Sequence, residues 1–152
     1  MSDGARSRRY DEPYRTTTYA HRGMSEVGRR SVSVRLKRVY EHVSADDGRR
    51  VLVDRVWPRG LSKHEARVDE WLPELGPSTQ LRKWFGHDPE RWSEFRTRYQ
   101  MELKAPEQRR RLDYLRELAG GQMVTILYGA KDQEHNQAVV IAEQLTRAAI
   151  RA

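Results

Sequence analysis

The sequence predicts an α/β fold, with a small, mixed and partly parallel sheet flanked by helices, in a single domain over residues 32–152. Apolar runs of strand length, at residues 51–53 and 123–128, alternate with segments of helical periodicity. Strands that alternate with helices are typical of a parallel sheet covered by helices. A chain of 152 residues is long enough for one domain with a sizeable core.

The first strand is expected to begin at Val32. Val32, Val34 and Leu36 alternate with polar residues, and this period of two indicates a half-buried strand. Turn-forming residues follow at 44–48, and the apolar run 51–53 then predicts a strand buried on both faces. Because the connection is too short for a crossover helix, the two strands are either a hairpin or separated within the sheet.

The helices are recognised by the residues at their ends. A short helix is expected over residues 61–66, and Pro73 interrupts any long helix through the apolar positions that follow. Each later helix starts where a side chain can cap it or where a proline fits its first turn. These starting points are Ser78, Asp88-Pro89, Pro106 and Asp132. The helices from Ser78 and Pro106 should end at Gly86 and Gly120.

Residues 1–31 are expected to form a disordered leader. They are rich in Arg, Ser, Thr and Gly, contain almost no aliphatic side chains, and show neither helical nor strand periodicity. Three tyrosines interleaved with arginines offer a contact for RNA or a partner, although a solvated tail explains them more simply. Met24 is an alternative start of translation.

The composition narrows the classes of function. Of the net charge of +7, residues 1–30 carry +3 (seven Arg, four acids), which leaves +4 for the remainder. Nucleic-acid binding therefore has only weak support, and no helix-turn-helix with a basic recognition helix is evident. The chain has no cysteine, which excludes disulfides, thiolate metal sites and cysteine nucleophiles.

The sequence also bears on the compartment and on cofactors. No apolar run approaches the roughly 20 residues of a membrane span, and no secretory signal is visible, so we expect a cytoplasmic protein. The histidines and acids show no metal-ligand spacing, and there is no glycine-rich phosphate loop and no Gly-x-Ser-x-Gly elbow. We therefore expect neither a metal nor a cofactor.

Charged and aromatic side chains cluster where the central strand stops. Asp54, Arg55, Trp57 and Arg59 follow that strand directly, and Pro58 breaks it. In open α/β sheets, ligands bind beyond the carboxyl ends of the strands. These side chains therefore lie where a binding or catalytic site is expected.

A second polar cluster follows the strand at residues 123–128. Its loop carries Lys131, and the helix expected next carries Asn136 in its first turn. If the two strands are parallel neighbours, Arg55, Arg59 and Lys131 surround a helix N-terminus, whose free N–H groups also attract anions. Arginine offers two-point contacts and lysine a point charge. With Asn136 as a further contact, the sequence predicts a pocket for a phosphate, carboxylate or sulfate group.

Two residues are candidates for moving a proton. His135 falls in the first turn of the same expected helix, where the dipole disfavours the protonated imidazole and leaves a neutral base. Asp54 is the second candidate, and either Asp54 or Asp132 is expected to orient His135. Trp57 is expected to stack on a base or ring.

A structural explanation competes with each of these roles. Asp54 and Arg55 can simply satisfy polar groups at the strand end, and Trp57 can be a hydrophobic plug. Ser78, with Arg82 one helical turn later, is a further candidate for the anion site, although helix capping explains Ser78 more simply.

Two motifs are specific enough to indicate a family. They are the Asp-Arg-x-Trp-Pro-Arg-Gly run at residues 54–60 and the LYGAKD run at residues 127–132, the latter followed by His135-Asn136-x-Ala138. The shorter segments that support them are Arg38-Val39-Tyr40, Asp69-Glu70-Trp71, and Pro77-Ser78-Thr79 with Leu81-Arg82. With these motifs, residues 35–147 resemble the YeaO-like proteins, a branch of the domain of unknown function 488.

The resemblance implies a compact α/β protein of the bacterial cytoplasm, and it carries over no reaction. The wider family looks like a sulfurtransferase domain in which a strand, a loop and a helix carry a cysteine. Tyr128 stands near that position here, and the chain has no cysteine. Persulfide chemistry is therefore excluded, whereas an anion-binding loop is compatible with the loss.

Three functions stay open, and the sequence does not decide whether the protein is an enzyme. The first is a pocket for a small phosphorylated or carboxylated molecule, including a nucleotide. The second is a nucleic-acid-binding or regulatory protein that uses the basic helices and the leader. The third is a non-catalytic interaction or scaffold protein, in which the charged strand-end residues serve stability.

Overall fold

The structure, a computed structural model, describes the backbone of residues 18–19 and 31–151 and the side chains of residues 31–147. Its strands are β1 (Thr18–Tyr19), β2 (Ser33–Arg38), β3 (Arg49–Leu52), β4 (Glu70–Trp71) and β5 (Met123–Tyr128). They form one sheet in the order β1-β2-β5-β3-β4. All neighbours are parallel except β1, which pairs with β2 antiparallel. The predicted α/β class with a partly parallel sheet is confirmed.

The described residues form five α-helices: α1 (Lys63–Ala66), α2 (Thr79–Phe85), α3 (Trp92–Glu102), α4 (Pro106–Ala119) and α5 (Gln137–Arg151). Local chemistry fixes their ends. The Ser78 hydroxyl accepts a hydrogen bond from the Leu81 N–H at 3.2 Å, and Pro106 occupies the first turn of α4. None of the helices in the described ranges is long and apolar enough to cross a membrane.

Three expectations from the sequence differ from the structure or lie outside the described residues. The predicted leader lies outside the described residues, apart from Ser31 and from Thr18 and Tyr19, which form β1. The apolar positions after α1 were expected at helical spacing, but Glu70 and Trp71 instead form the edge strand β4, which pairs with β3. The last helix begins at Gln137 rather than just after Asp132.

The main core lies between the sheet and the larger helices. Strand residues such as Val51 and Ile126 pack there against Phe95 of α3, Leu115 of α4 and Ile141 of α5. Each of these side chains is at most 1% exposed. Burial of a large apolar side chain contributes roughly 1.5–3 kcal/mol, so this layer is the main source of folding free energy.

The opposite face of the sheet contains a small apolar cluster and a buried charged group. The Asp47 carboxylate accepts hydrogen bonds from Lys37 Nζ at 2.9 Å, from Arg50 at 2.6 Å and from the Ser44 N–H at 3.0 Å. Asp47, Lys37 and Arg50 are 1%, 5% and 3% exposed. Since each charge is paired and hydrogen-bonded, this Asp47 cluster avoids the large cost of an isolated buried ion.

The Asp47 cluster also explains the arrangement of β2 and β3. The two strands are not a hairpin, because both run parallel to β5, which lies between them. The connecting residues 39–48 cross β5 on this face, where the Asp47 carbonyl accepts a hydrogen bond from the Thr125 hydroxyl at 2.6 Å. Gly48 completes the crossing at φ +65°, and a Cβ atom there would lie 2.2 Å from the Met123 carbonyl oxygen.

Replacement of Asp47 by Ala should lower the free energy of unfolding by about 3–5 kcal/mol, because Lys37 and Arg50 would then be buried without their partner. Asp46→Ala is the matched control, since Asp46 is an exposed neighbour in the same turn. Urea unfolding of the two variants measures the difference. Equal losses would contradict a special role for the buried carboxylate.

The effect of Asp47 should depend on pH in a defined direction. Burial disfavours the carboxylate, but hydrogen bonds from Lys37 and the Ser44 N–H more than offset this and hold the pKa of Asp47 below 3.8. The stabilisation is therefore complete above the pKa of the unfolded chain and is lost as the pH falls through the folded value.

Candidate functional site

A cleft of about 390 Å³ opens where β3 and β5 end. Because these strands are parallel neighbours, the loops that follow them lie side by side at one edge of the sheet, as the site prediction requires. Six of the seven predicted site residues line this strand-end cleft: Asp54, Arg55, Trp57, Arg59, His135 and Asn136. The seventh, Lys131, is exposed and is not part of the lining.

Asp54 ties the end of β3 to the loop after β5 and to α5. Its Oδ2 atom accepts the Gly129 N–H at 3.0 Å, and its Oδ1 atom accepts a hydrogen bond from the Gln137 amide. A Cβ atom at position 129 would lie 2.9 Å from Oδ2, so glycine gives the carboxylate room to approach the backbone. Burial raises the pKa of Asp54 to about 6, against the smaller lowering effect of these hydrogen bonds and of Arg82.

Arg55 uses its guanidinium group to hold the loop before α2. Nε donates to the Pro77 carbonyl at 2.7 Å and a terminal nitrogen donates to the Gly76 carbonyl at 2.9 Å. A Cβ atom on Gly76 would lie 2.9 Å from the Arg55 backbone nitrogen, so the loop packs tightly against this residue. The charge of Arg55 borders the cleft, but these hydrogen bonds serve the fold.

Trp57 has the surroundings of a hydrophobic plug. Its indole N–H donates to the Leu61 carbonyl at 2.6 Å, and its ring meets the Trp71 ring edge-on with the centroids 5.3 Å apart. It packs on the small apolar cluster of the sheet, which includes Leu52 and Leu127. The rest of its surface lines the cleft, so only part of the Trp57 ring is open to a ligand.

Arg59 and Arg82 are the exposed cations of the cleft. Neither guanidinium group makes a hydrogen bond or an ion pair with the part of the chain that the structure describes. The Arg59 carbonyl accepts a hydrogen bond from the Tyr40 hydroxyl at 2.8 Å, and this contact fixes the backbone while leaving the side chain available. Both arginines can therefore present their charge to a ligand.

His135 is oriented by Asp132, not by Asp54. Nδ1 of His135 lies 2.8 Å from one Asp132 oxygen, and the His135 backbone N–H donates to the other at 3.1 Å. Burial disfavours the Asp132 carboxylate, but these contacts and the Glu134 N–H hold its pKa below 3.8. The His135 ring also meets the Trp92 ring edge-on, with the centroids 5.3 Å apart.

The expectation that His135 occupies the first helical turn is wrong. Asp132 accepts the backbone N–H groups of Glu134 and His135, which closes a separate turn before α5. The cap of α5 is Asn136, whose side-chain oxygen accepts the Val139 N–H at 3.2 Å. The dipole argument for a neutral imidazole therefore loses its basis.

Asn136 itself has a structural role. It is 1% exposed, and its amide nitrogen also donates to the Asp132 carbonyl at 2.9 Å. Ser78 is similarly occupied, because its hydroxyl donates to a Glu102 oxygen at 2.6 Å while it caps α2. The Ser78 hydroxyl proton is therefore already donated, whereas Asn136 keeps one further amide N–H beside the one given to Asp132.

Sequence reasoning missed several residues of the cleft. Gln137, His87 and Tyr40 line it without having been proposed, and Arg82 was considered only as an addition. Spacing offered no signal for His87, which adopts a positive φ of 58° in the loop after α2. Among the described residues, no three His, Asp or Glu side chains are grouped so that they could hold a metal ion.

Asp54→Asn should change how stability depends on pH. The folded protein holds the Asp54 proton more tightly than the unfolded chain does, with a pKa of about 6 against 3.8, so wild type loses stability as the pH rises through this interval. Asparagine does not titrate. The free energy of unfolding of the variant, measured relative to wild type, should therefore increase by up to about 3 kcal/mol between pH 4 and pH 7.

Urea unfolding at both pH values tests this expectation, with Asp46→Asn as the exposed control. A difference between variant and wild type that stays constant with pH would show that Asp54 titrates as an ordinary carboxyl group.

Comparison with known proteins identifies the family. A family profile described as "Inactive DUF488-N3 subclade" matches residues 33–152. The chain is 43% identical over 116 residues to "Uncharacterized protein Rv3073c" of Mycobacterium tuberculosis, a match that covers 76% of this chain and 96% of that protein. It is 41% identical over 114 residues to "Uncharacterized protein YeaO" of Escherichia coli, covering 75% and 97%.

No solved structure matches the chain. The profile match covers most of the chain, and both relatives are matched over nearly their whole length, so the resemblance seen in the motifs is confirmed. The protein belongs to the DUF488 family, as a YeaO-like member of its inactive DUF488-N3 subclade.

Proposed function

We propose that the strand-end cleft binds a small molecule bearing a phosphate, carboxylate or sulfate group. The observation that carries the proposal is the charge of the lining. Three arginines and two histidines border the cleft, against a single carboxylate: they are Arg55, Arg59, Arg82, His87 and His135, with Asp54 as the acid. Burial raises the pKa of Asp54 to about 6, so this single negative charge is lost as the pH falls through mildly acidic values.

The basic side chains of the cleft have different roles in this proposal. Arg59 and Arg82 hold the anion directly, because their guanidinium groups are exposed and have fixed donor geometry. Arg55 adds positive potential while it holds the loop before α2. When protonated, His135 donates Nδ1–H to Asp132 and offers Nε2–H to the anion.

The rest of the lining suits the remainder of such a molecule. Aromatic side chains of Tyr40, Trp57 and Phe85 border the cleft beside the cations. Ligand pockets typically combine apolar walls with a few polar groups, so a planar or aromatic body with an anionic substituent, such as a nucleotide, fits this lining. The word "inactive" in the family description agrees with binding rather than catalysis.

A second candidate, a scaffold without a small-molecule ligand, is favoured by one set of contacts. Arg55, Trp57 and Asn136 each make hydrogen bonds within the fold, as expected of residues that serve stability. Arg59 and Arg82 distinguish the two candidates, because their guanidinium groups make no such contacts with the described residues. Their replacement should therefore affect binding without affecting folding.

Arg59→Ala and Arg82→Ala should each weaken the binding of a nucleoside monophosphate by roughly 10- to 100-fold, because a hydrogen bond to a charged group contributes about 1.5–3 kcal/mol. Isothermal titration calorimetry measures the affinity, and inorganic phosphate serves as the minimal ligand. Arg110→Ala is the matched control, because Arg110 is an exposed arginine of α4 that does not line the cleft.

The three variants should unfold at the same urea concentration as wild type. If neither anion binds to wild type, or if Arg110→Ala weakens binding as much as the cleft variants do, the proposed pocket is wrong and the scaffold candidate is preferred.

Sulfate binding should strengthen as the pH falls from 7.5 to 5.5. Sulfate keeps its charge over this range, whereas the Asp54 carboxylate, whose pKa is about 6, becomes neutral. Asp54→Asn should bind sulfate more tightly than wild type at pH 7.5 and should show a weaker pH dependence, as measured by calorimetry. A pH profile in Asp54→Asn that is the same as that of wild type contradicts the proposed geometry.

A further inference from the structure

A second cavity, of about 430 Å³, lies among α3, α4 and α5. It shares no lining residue with the strand-end cleft, so any ligand it takes is independent of the proposed function. Its volume falls within the range of about 300–1,000 Å³ that is typical of small-molecule sites. We refer to it as the three-helix cavity.

The lining of the three-helix cavity is strongly basic. It contains four cations and one carboxylate: Lys104, Arg109, Arg116 and Arg147, with Asp113. Arg116 pairs with Asp113 at 2.6 Å, which neutralises both. Lys104, Arg109 and Arg147 make no ion pair with any described residue. Like charges held together around a concave surface attract an anion, because it relieves their mutual repulsion.

The same cavity has an aliphatic wall. Leu103 and Leu112, which are 2% and 4% exposed, line it together with Met101, which is 61% exposed. A methionine side chain is flexible and polarisable, and it adapts well to an aliphatic surface. No aromatic ring is among the lining residues, so the stacking platform that nucleobases usually require is missing.

We propose that the three-helix cavity binds an aliphatic carboxylate, with the carboxylate among Lys104, Arg109 and Arg147 and the hydrocarbon chain against Met101 and the two leucines. Charge selects the head group, and the missing aromatic platform favours an aliphatic chain over a nucleotide. The lining of this cavity thus differs from that of the strand-end cleft, where aromatic side chains lie beside the arginines.

Calorimetry on the full chain with acetate, hexanoate and octanoate tests the proposal. Octanoate should bind most tightly, with a gain of up to about fourfold for each methylene group that becomes buried, and acetate should bind weakly or not at all. Met101→Gln should reduce the difference between octanoate and hexanoate. Because Met101 is exposed, this variant should fold normally.

Two adjacent arginines of α4 provide a test variant and its control for the contact with the carboxylate. Arg109 lines the cavity and Arg110 does not, although both are exposed. Arg109→Ala should weaken octanoate binding about tenfold, and Arg110→Ala should leave it unchanged. Arg59→Ala should also leave it unchanged, because the strand-end cleft presents aromatic rings beside its arginines and the aliphatic chain of octanoate selects the three-helix cavity.

Several outcomes would overturn the proposal. They are no octanoate binding, equal affinity for acetate and octanoate, or equal losses in the two α4 variants, the last of which would indicate general attraction to a basic surface. A loss in Arg59→Ala would place octanoate in the other cleft. A single-stranded oligonucleotide that displaces octanoate and depends on Arg109 would assign the cavity to nucleic acid instead.

Discussion

The strand-end cleft exists because β3 and β5 run side by side in the same direction. This pairing places the Asp54 segment next to the Gly129 segment at one edge of the sheet. For this pairing, residues 39–48 must cross β5 after the end of β2 and bring the chain back to the end of the sheet at which β2 began. The crossing is held by Asp47, which contacts side chains from both strands on either side of β5. The buried Asp47 carboxylate thus helps to hold the crossing that lets β3 and β5 pair in parallel.

Several polar residues of the cleft have two roles that the structure separates. Asp54, Arg55 and Asn136 line the cleft, and their hydrogen bonds also hold the strand ends, the loop before α2 and the start of α5 in place. Arg59 and Arg82 carry exposed charge and make no comparable contacts among the described residues. A motif such as Asp-Arg-x-Trp-Pro-Arg-Gly therefore combines side chains that maintain the pocket with one that is free to contact a ligand.

Local chemistry was enough to predict much of the fold. Period-two alternation located β2, a run of mostly apolar, β-prone residues located β5, and Ser78 and Pro106 marked the starts of α2 and α4. The edge strand β4 has only two residues, which is too short for any periodicity to register. The start of α5 was misplaced because Asp132 and Asn136 both have capping side chains, and only the backbone path shows which one caps the helix.

The candidate site was predictable only in part, for a related reason. Residues next to strand ends were found because sheet topology places them, whereas Arg82 and His87 enter the cleft through the packing of α2, which no local pattern encodes. Lys131 belongs to the correct loop, but the direction of its side chain depends on the loop conformation, and it does not line the cleft. Sequence position identified the edge of the sheet, and tertiary packing decided which side chains line the cleft.

The Asp47 cluster has a consequence for behaviour on heating. The hydration of charged groups becomes less favourable as temperature rises, so the cost of keeping Asp47, Lys37 and Arg50 away from water falls. Apolar contacts gain no such advantage at high temperature. The Asp47 cluster should therefore contribute a growing share of the free energy of unfolding as the temperature rises.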